Sequence, residues 1–360
     1  MAESLSSNRS VTPNSAKRSI RKCLKIRRPV FLWGAPGIGK SDIIKQLGDE
    51  QKRNVIDVRL SLWEPTDIKG IPFYNPDLGT MSWAPPLEFP SDPNDTSILF
   101  LDELNSAAPA TQAAAYQLIL NRRVGTYRLP KGVSIVAAGN RETDKGVTYR
   151  MPAPLANRFL HLELRTDYDD WLIWATDNRV HEQVVGYVSF AKSDLYDFDP
   201  KSSSRAFATP RTWSFVSELL CDDDLDDATL TDLVSGAIGE GLAVKFMAHR
   251  KVAKQMPDPV DVLAGRVTKL NIKEISAMYS LTTSLCYELQ ELDKKKVKNW
   301  NEQADNFFAF IMDNFPTELV VMGAKVALTN YKLPFDASKL KNFDRFHAKF
   351  GKYIMQALSS

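Results

Sequence analysis

The stretch Pro29-Val30-Phe31-Leu32-Trp33-Gly34-Ala35-Pro36-Gly37-Ile38-Gly39-Lys40-Ser41 decides the fold. Four apolar residues, 30–33, run into a glycine-rich turn, and a helical pattern follows from Lys40 onward. A short, wholly apolar run is the pattern of a strand buried on both faces. Glycines in the turn let main-chain N–H groups point inward around an anion, and the next helix aims its positive end at the same place. The spacing from Gly34 to Ser41 is GxxxxGK[ST], a phosphate-binding loop. Gly34, Ala35, Pro36, Gly37, Ile38 and Gly39 form the cradle. Lys40 reaches the β- and γ-phosphates of a nucleotide, and Ser41 offers its hydroxyl to Mg²⁺. The strand before and the helix after are the context that separates this motif from a chance glycine turn. ATP and Mg²⁺ are the expected ligands.

Outward from this loop, the same strand signal returns at 54–62, 96–104, 133–140 and 159–165. Helical segments such as 109–123 lie between. Strands alternating with helices predict an α/β fold with a parallel sheet covered on both sides. Two passages break the alternation. Residues 64–86 hold two short extended pieces around Pro76-Asp77-Leu78-Gly79, and 122–132 read as a second hairpin. After residue 166 the strand signal stops and helical periodicity continues to the end. The expected division is a frayed tail over 1–13, a nucleotide-binding α/β domain over 14–166, a helical lid over 167–255 and a helical C-terminal region over 256–360. An acidic loop is expected at 222–227.

The strand at 96–104 ends in Phe100-Leu101-Asp102-Glu103. An aliphatic strand that delivers two carboxylates to its C-terminal edge suits a nucleotide site. Asp102 holds the Mg²⁺ shell, and Glu103 orients and polarises the attacking water. Asn140, at the end of the strand at 133–140, places an amide where it can bond the γ-phosphate or the water. Taken singly, each also fits a plainer role: an acidic strand end, or a turn-forming Asn.

The order GAPGIGKS, FLDEL, AAGN and LANRF resembles an AAA+ ATPase. The hairpin at 64–86 resembles the helix-2 insert and that at 122–132 the pre-sensor-1 hairpin, which together with MPAPLANRF point to the MoxR-like branch. The resemblance spans about 27–250. It implies that Asn140 acts as sensor 1, that Arg158 is an arginine finger reaching a neighbouring subunit's ATP, and that Arg211 acts as sensor 2 on a lid helix. Arg150 and Arg141 are lesser finger candidates. A guanidinium suits the finger role because it stays charged and spreads that charge over the transferring phosphoryl group. Structural roles remain open for both: Arg158 as a helix cap, Arg211 as a solvated first-turn residue. The resemblance further implies a ring oligomer, a hexamer, that remodels a protein partner in a chaperone-like way, the partner carrying a von Willebrand A domain.

Composition bounds the function. The chain has 360 residues, 44% hydrophobic and 25% charged, enough for about two domains with real cores. No apolar run reaches the ~18 residues of a membrane span, and MAESLSSNRS holds no secretory apolar region. Cys23, Cys221 and Cys286 form no CxxC pair, and the four histidines show no metal-ligand spacing. A reducing cytoplasm is the expected setting. Net charge is +2, against a general nucleic-acid coat, yet Arg9, Lys17, Arg18, Arg21, Lys22, Lys25, Arg27 and Arg28 stand against Glu3 alone in the first 30 residues. That leaves an ATP-driven nucleic-acid motor or loader as the alternative, although weak or no nucleic-acid binding is expected. Trp63, Trp83, Trp171 and Trp174 are expected to pack in cores, while Phe73 and Tyr74 near a hairpin tip can face a substrate segment.

Overall fold

The computed structural model describes residues 9–144, 146, 148–221 and 225–359. The chain divides into two compact units, Met1–Asp167 and Tyr168–Ser360.

In the first unit the elements run β1 Ser10–Val11, α1 Pro13–Lys25, β2 Val30–Trp33, α2 Lys40–Gln51, β3 Val55–Arg59, α3 Pro65–Lys69, β4 Ile71–Asn75, β5 Thr80–Ala84, β6 Ile98–Asp102, α4 Pro109–Asn121, β7 Arg123–Val124, β8 Tyr127–Arg128, β9 Ser134–Gly139, α5 Ala153–Ala156 and β10 Leu160–Leu164. Six strands form one sheet in the order β1-β10-β2-β9-β6-β3, and every pairing is parallel. The wholly apolar runs explain this. β6 and β9 are buried along their full length. Phe31, Leu99, Leu101, Ile135 and Ala137 pack with Ala114, Ala115, Leu118 and Ile119 of α4 in one core. The alternate set, Val30, Leu32, Ile98, Phe100, Val136 and Ala138, is equally buried on the opposite face. Strands covered on both sides need parallel crossovers to carry the helices across.

Part of the expected tail over 1–13 is ordered in the sheet. Residues 1–8 lie outside the described residues, but Ser10 and Val11 pair with Glu163 and Leu164, and Arg165 N donates to Val11 O at 3.0 Å. Without them β10 would present an open edge. The helix α1 starts at Pro13, because the Thr12 hydroxyl accepts from Ser15 N at its N-cap and proline suits the first turn.

Both hairpins form: β4 pairs antiparallel with β5, and β7 with β8. They touch each other. Thr126 Oγ1 donates to Trp83 O at 3.1 Å, and Tyr127 OH to Pro90 O at 2.8 Å. Trp63 packs on Phe89, with ring centroids 5.9 Å apart. Around the first hairpin, by contrast, Ile71, Tyr74, Leu78, Met81 and Leu87 are exposed.

The second unit is helical: α6 Tyr168–Asp177, α7 Glu182–Phe190, α8 Pro210–Leu219, α9 Asp227–Ile238, α10 Glu240–Ala253, α11 Pro259–Leu263, α12 Ile275–Lys294, α13 Trp300–Asn314, α14 Thr317–Thr329 and α15 Lys341–Ser359. One hydrophobic core runs from Trp171 through Trp213, Phe246 and Leu285 to Phe308 and Phe346, with Trp174 packed against it. The stretches before and after residue 256 therefore share a core. The organiser is α12, which packs against α7, α10, α11, α13 and α14. Of the expected acidic loop, 222–224 lie outside the described residues.

His249 of α10 is buried in this core. Its Nε2 bonds the Ser276 carbonyl at 2.9 Å, and Nδ1 has no partner among the described residues. Burial lowers its pKa, against the opposing pull of the Ser276 carbonyl. Above about pH 6.5 the ring is neutral in both folded and unfolded chains. As pH falls through that value the unfolded chain takes up a proton that the buried ring resists, so stability drops. Thermal unfolding followed from pH 7.5 to 5.5 should show a loss of at most about 1.4 kcal/mol per pH unit from this residue. His249→Gln should reduce the slope, and an unchanged slope would remove His249 as its source.

Candidate nucleotide site

Parallel strands bring their C-terminal ends to one edge, where ligands gather in open α/β sheets. β2 runs into residues 34–41, β6 ends at Asp102 and β9 at Gly139. Because Trp33 pairs with Gly139 and Leu101 with Ala137, the phosphate loop, the Asp102-Glu103 pair and Asn140 arrive side by side. Gly34 N donates to Gly139 O at 3.2 Å, tying the loop's first residue to the neighbouring strand. Gly39 stands at the N-cap of α2 with φ 90°, a left-handed conformation that favours glycine, and no side chain caps that end. The N–H groups of the first turn of α2 are thus left for an anion.

Lys40 Nζ donates to Gly34 O at 2.7 Å, Ala35 O at 3.0 Å and Asn140 Oδ1 at 2.9 Å. The ammonium therefore spans from the loop to the end of β9. Ser41 Oγ donates to Asp102 Oδ2 at 2.9 Å, and the other carboxylate oxygen accepts from Glu103 N at 2.9 Å. Asp57 on β3 has its carboxyl pKa raised, first by burial and then by the Asp102 carboxylate. Glu103 follows β6 in a left-handed conformation, φ 54°. Its carboxylate accepts from the Ser61 hydroxyl and lies 3.9 Å from Arg59 Nε.

The oxygens at 41 and 102 fit Mg²⁺. A hydroxyl and a carboxylate oxygen 2.9 Å apart match two neighbouring corners of an octahedron with Mg–O of about 2.0–2.1 Å. Mg²⁺ commonly takes only one or two protein oxygens and shares the rest with phosphates and water. Among the described residues, no group of three or more His, Cys, Asp or Glu is placed to cage a metal by itself.

Arg158 follows α5 and its C-cap Asn157, with its backbone N bonded to Leu155 O at 3.0 Å. Its side chain is exposed and makes no polar contact among the described residues. The turn before it is held by His161, whose Nε2 bonds Ala156 O at 2.8 Å while Nδ1 accepts from Trp33 Nε1 at 2.9 Å. Arg150 is also exposed. Arg141 is engaged within its own unit, with Asp144 at 3.2 Å and Glu163 at 3.4 Å. Arg211 belongs to the helical unit, exposed in the first turn of α8 behind the Thr209 cap.

Sequence reading missed Ser61, Arg59 and Asn105, which touch Glu103 or Asn140. Arg59 was recoverable in part, since β3 pairs with β6 and sets Arg59 opposite Asp102. Ser61 and Asn105 lie in short 3-10 turns that carry no periodic signal.

Residues 29–161 match the family model of the ATPase family associated with various cellular activities (AAA). The segment that carries this site is similar to the AAA ATPases. Among solved structures, the chain is similar to an ATPase candidate from Cytophaga hutchinsonii, at 13% identity, with 97% of this chain and 90% of that chain covered and a TM-score of 0.36. It is similar to a point mutant of Thermotoga maritima RuvB, at 17% identity over 78% and 84% with a TM-score of 0.38. It is also similar to Brucella abortus NtrX in complex with ADP, at 14% identity over 94% and 67% with a TM-score of 0.38. The family match contains the phosphate loop, Asp102, Glu103, Asn140 and Arg158, and stops short of Arg211.

Lys40→Ala removes the ammonium that reaches from the loop to Asn140. Nucleotide affinity, followed by titration calorimetry, should fall about tenfold to a hundredfold, the scale of one to two lost charge-assisted hydrogen bonds. Unchanged affinity would place the phosphates elsewhere.

Proposed function

We propose that this protein is a Mg²⁺-dependent ATP hydrolase that works as a ring, a hexamer, to remodel a protein partner in the manner of the MoxR-like branch. The observation that carries the reading is the convergence at one sheet edge of Lys40 bonded to Asn140 and Ser41 bonded to Asp102, with Glu103 beside them. Gly34 through Gly39 and the start of α2 bind the phosphates through main-chain N–H groups. Mg²⁺, held by Ser41 and Asp102, neutralises phosphate charge when bound. Lys40 takes the β- and γ-phosphates and Asn140 donates to the γ-phosphate or the water. Glu103 accepts the water's hydrogen bond and draws its proton, which requires the carboxylate to turn from Ser61 toward the nucleotide.

Arg158 supplies the missing positive charge, and its exposed side chain, without a polar partner among the described residues, supports action on a neighbour's nucleotide rather than its own. Arg211 is proposed as a second phosphate sensor on α8. The partner-facing element is the exposed apolar hairpin of Ile71, Phe73, Tyr74 and Met81, since a patch of this kind marks an interaction surface. A protein bearing a von Willebrand A domain is the expected partner by resemblance. The three cysteines are free, which suits a reducing cytoplasm, and no helix among the described residues is long and apolar enough to cross a membrane.

One observation favours a nucleic-acid motor instead: Arg18, Lys22, Lys25, Arg27 and Arg28 are exposed along and after α1. Lys17 and Arg21, however, are engaged with Glu50, which thins the basic face. Tight nucleic-acid binding at physiological salt, lost on deleting residues 1–28, would favour the motor.

Glu103→Gln should keep ATP binding and lower turnover by orders of magnitude, and should retain the protein partner in a pulldown with ATP. Wild-type turnover in this variant would overturn the role of Glu103.

Arg158→Ala should be equally inactive, while each subunit still binds ATP through Lys40. Mixing the two dead variants rebuilds interfaces in which an intact Arg158 meets an intact Glu103. Concentration-dependent recovery of ATPase activity is the expected outcome, because a finger in trans is worth about 10³–10⁵ in rate. No recovery, with subunit exchange shown separately, would leave Arg158 a structural cap.

A further inference from the structure

Asn105 is the middle residue of the 3-10 turn Leu104–Ser106 that follows Glu103, and it is 1% exposed. Three contacts define it. Its Nδ2 donates to Asn140 O at 2.8 Å. Its backbone carbonyl accepts from Tyr149 N at 2.7 Å. Its Oδ1 is buried with no hydrogen-bond partner among the described residues and faces Gly139, where an added Cβ would stand 2.0 Å from it.

A buried amide with one unmet acceptor is a poor stabilising device, because desolvating that oxygen offsets what the Nδ2 bond contributes. An apolar residue would fill such a core position at lower cost. The arrangement also requires a glycine at the end of β9, since any side chain at 139 would strike the amide. What Asn105 does achieve is to hold the carbonyl of Asn140, the residue whose Oδ1 receives Lys40 Nζ.

We propose that Asn105 is a positioning residue for the γ-phosphate. By fixing the Asn140 main chain it aims the Asn140 amide, with Oδ1 on Lys40 and Nδ2 left to donate to a γ-phosphate oxygen. Through Tyr149 N it ties the segment leading to Arg158 to the same strand end. This rests on the ATP site proposed above. The bond partners run Tyr149, Asn105, Asn140, Lys40, so the turn after the Asp102-Glu103 strand and the end of β9 are set as one unit. A triphosphate is thereby distinguished from a diphosphate, since only the former meets Asn140.

The test measures affinity for ATPγS and for ADP, together with kcat and KM for ATP, in Asn105→Ala and in the near-isosteric Asn105→Leu. The leucine is uncharged, cannot donate to Asn140 O and keeps the volume if the alanine fails to fold. Both variants should lose roughly tenfold in ATPγS affinity and in kcat, the scale of one buried hydrogen bond, with ADP affinity within about twofold of wild type. In an Asn140→Ala background Asn105→Ala should cost nothing further, because its side chain acts only through Asn140 and the backbone bond to Tyr149 is kept. Equal losses for ADP and ATPγS, or a full additional loss in the Asn140→Ala background, would reduce Asn105 to a structural residue. The ATPγS-to-ADP ratio is read without turnover. A wild-type chain that binds both nucleotides yet does not hydrolyse ATP would sink the ATPase reading while still deciding the role of Asn105.

Discussion

The parallel pairing of β2, β9 and β6 is the constraint on which the site depends. β6 and β9 are buried along their length and β2 nearly so, and their register is held by side chains packed on both faces. A slip of one residue would turn every core residue of a strand to the wrong face. It would also move Asn140 or Asp102 along the strand direction by about 3.3 Å, enough to break the 2.9 Å bonds from Lys40 and Ser41. Core packing and ligand geometry are thus the same requirement. The hydrophobic residues specify the register, and the polar residues at or just beyond the strand ends inherit it.

Charge in the site is arranged so that each ionised group is satisfied without a ligand and can be released to one. Lys40 rests on two loop carbonyls and an amide oxygen. Asp102 rests on a hydroxyl and a backbone N–H, and Glu103 on Ser61 and Arg59. None of the three is buried unpaired, which would cost several kcal/mol. The partners are neutral or long-range, so a phosphate or cation can displace them at modest cost. Arg158 differs. It has no such resting partner among the described residues.

Much of this was legible in sequence because it is local. A wholly apolar run, a glycine turn and a Lys-Ser pair at fixed spacing specify β2, the phosphate loop and the start of α2 within twelve residues, since backbone sterics and helix polarity act over that range. The boundaries of β2, β6, β9 and β10 fall within two residues of the expected runs. The first hairpin declared itself through the turn at Pro76–Gly79, where Asn75 Oδ1 accepts from the N–H groups of Asp77 and Leu78. The short strand Ser10–Val11 did not. Two residues carry no period, and their pairing is decided by the open edge of a strand some 150 positions away.

The sequence by itself determined the parallel α/β class, the phosphate loop and the carboxylate pair, because each is written in neighbouring residues whose conformations are set by local sterics and by alternation of burial. Tertiary structure alone decided which distant groups meet them. Asn105 and Asn140 are separated by 35 positions, Lys40 and Asn140 by 100, and Trp33 and His161 by 128. No local preference encodes those contacts. They arise when buried strands stack in the order β10-β2-β9-β6-β3, an order chosen by how the helices cover both faces. The single core joining α6 through α15 is of the same kind, since amphipathic helices announce that they pack but not against which partner.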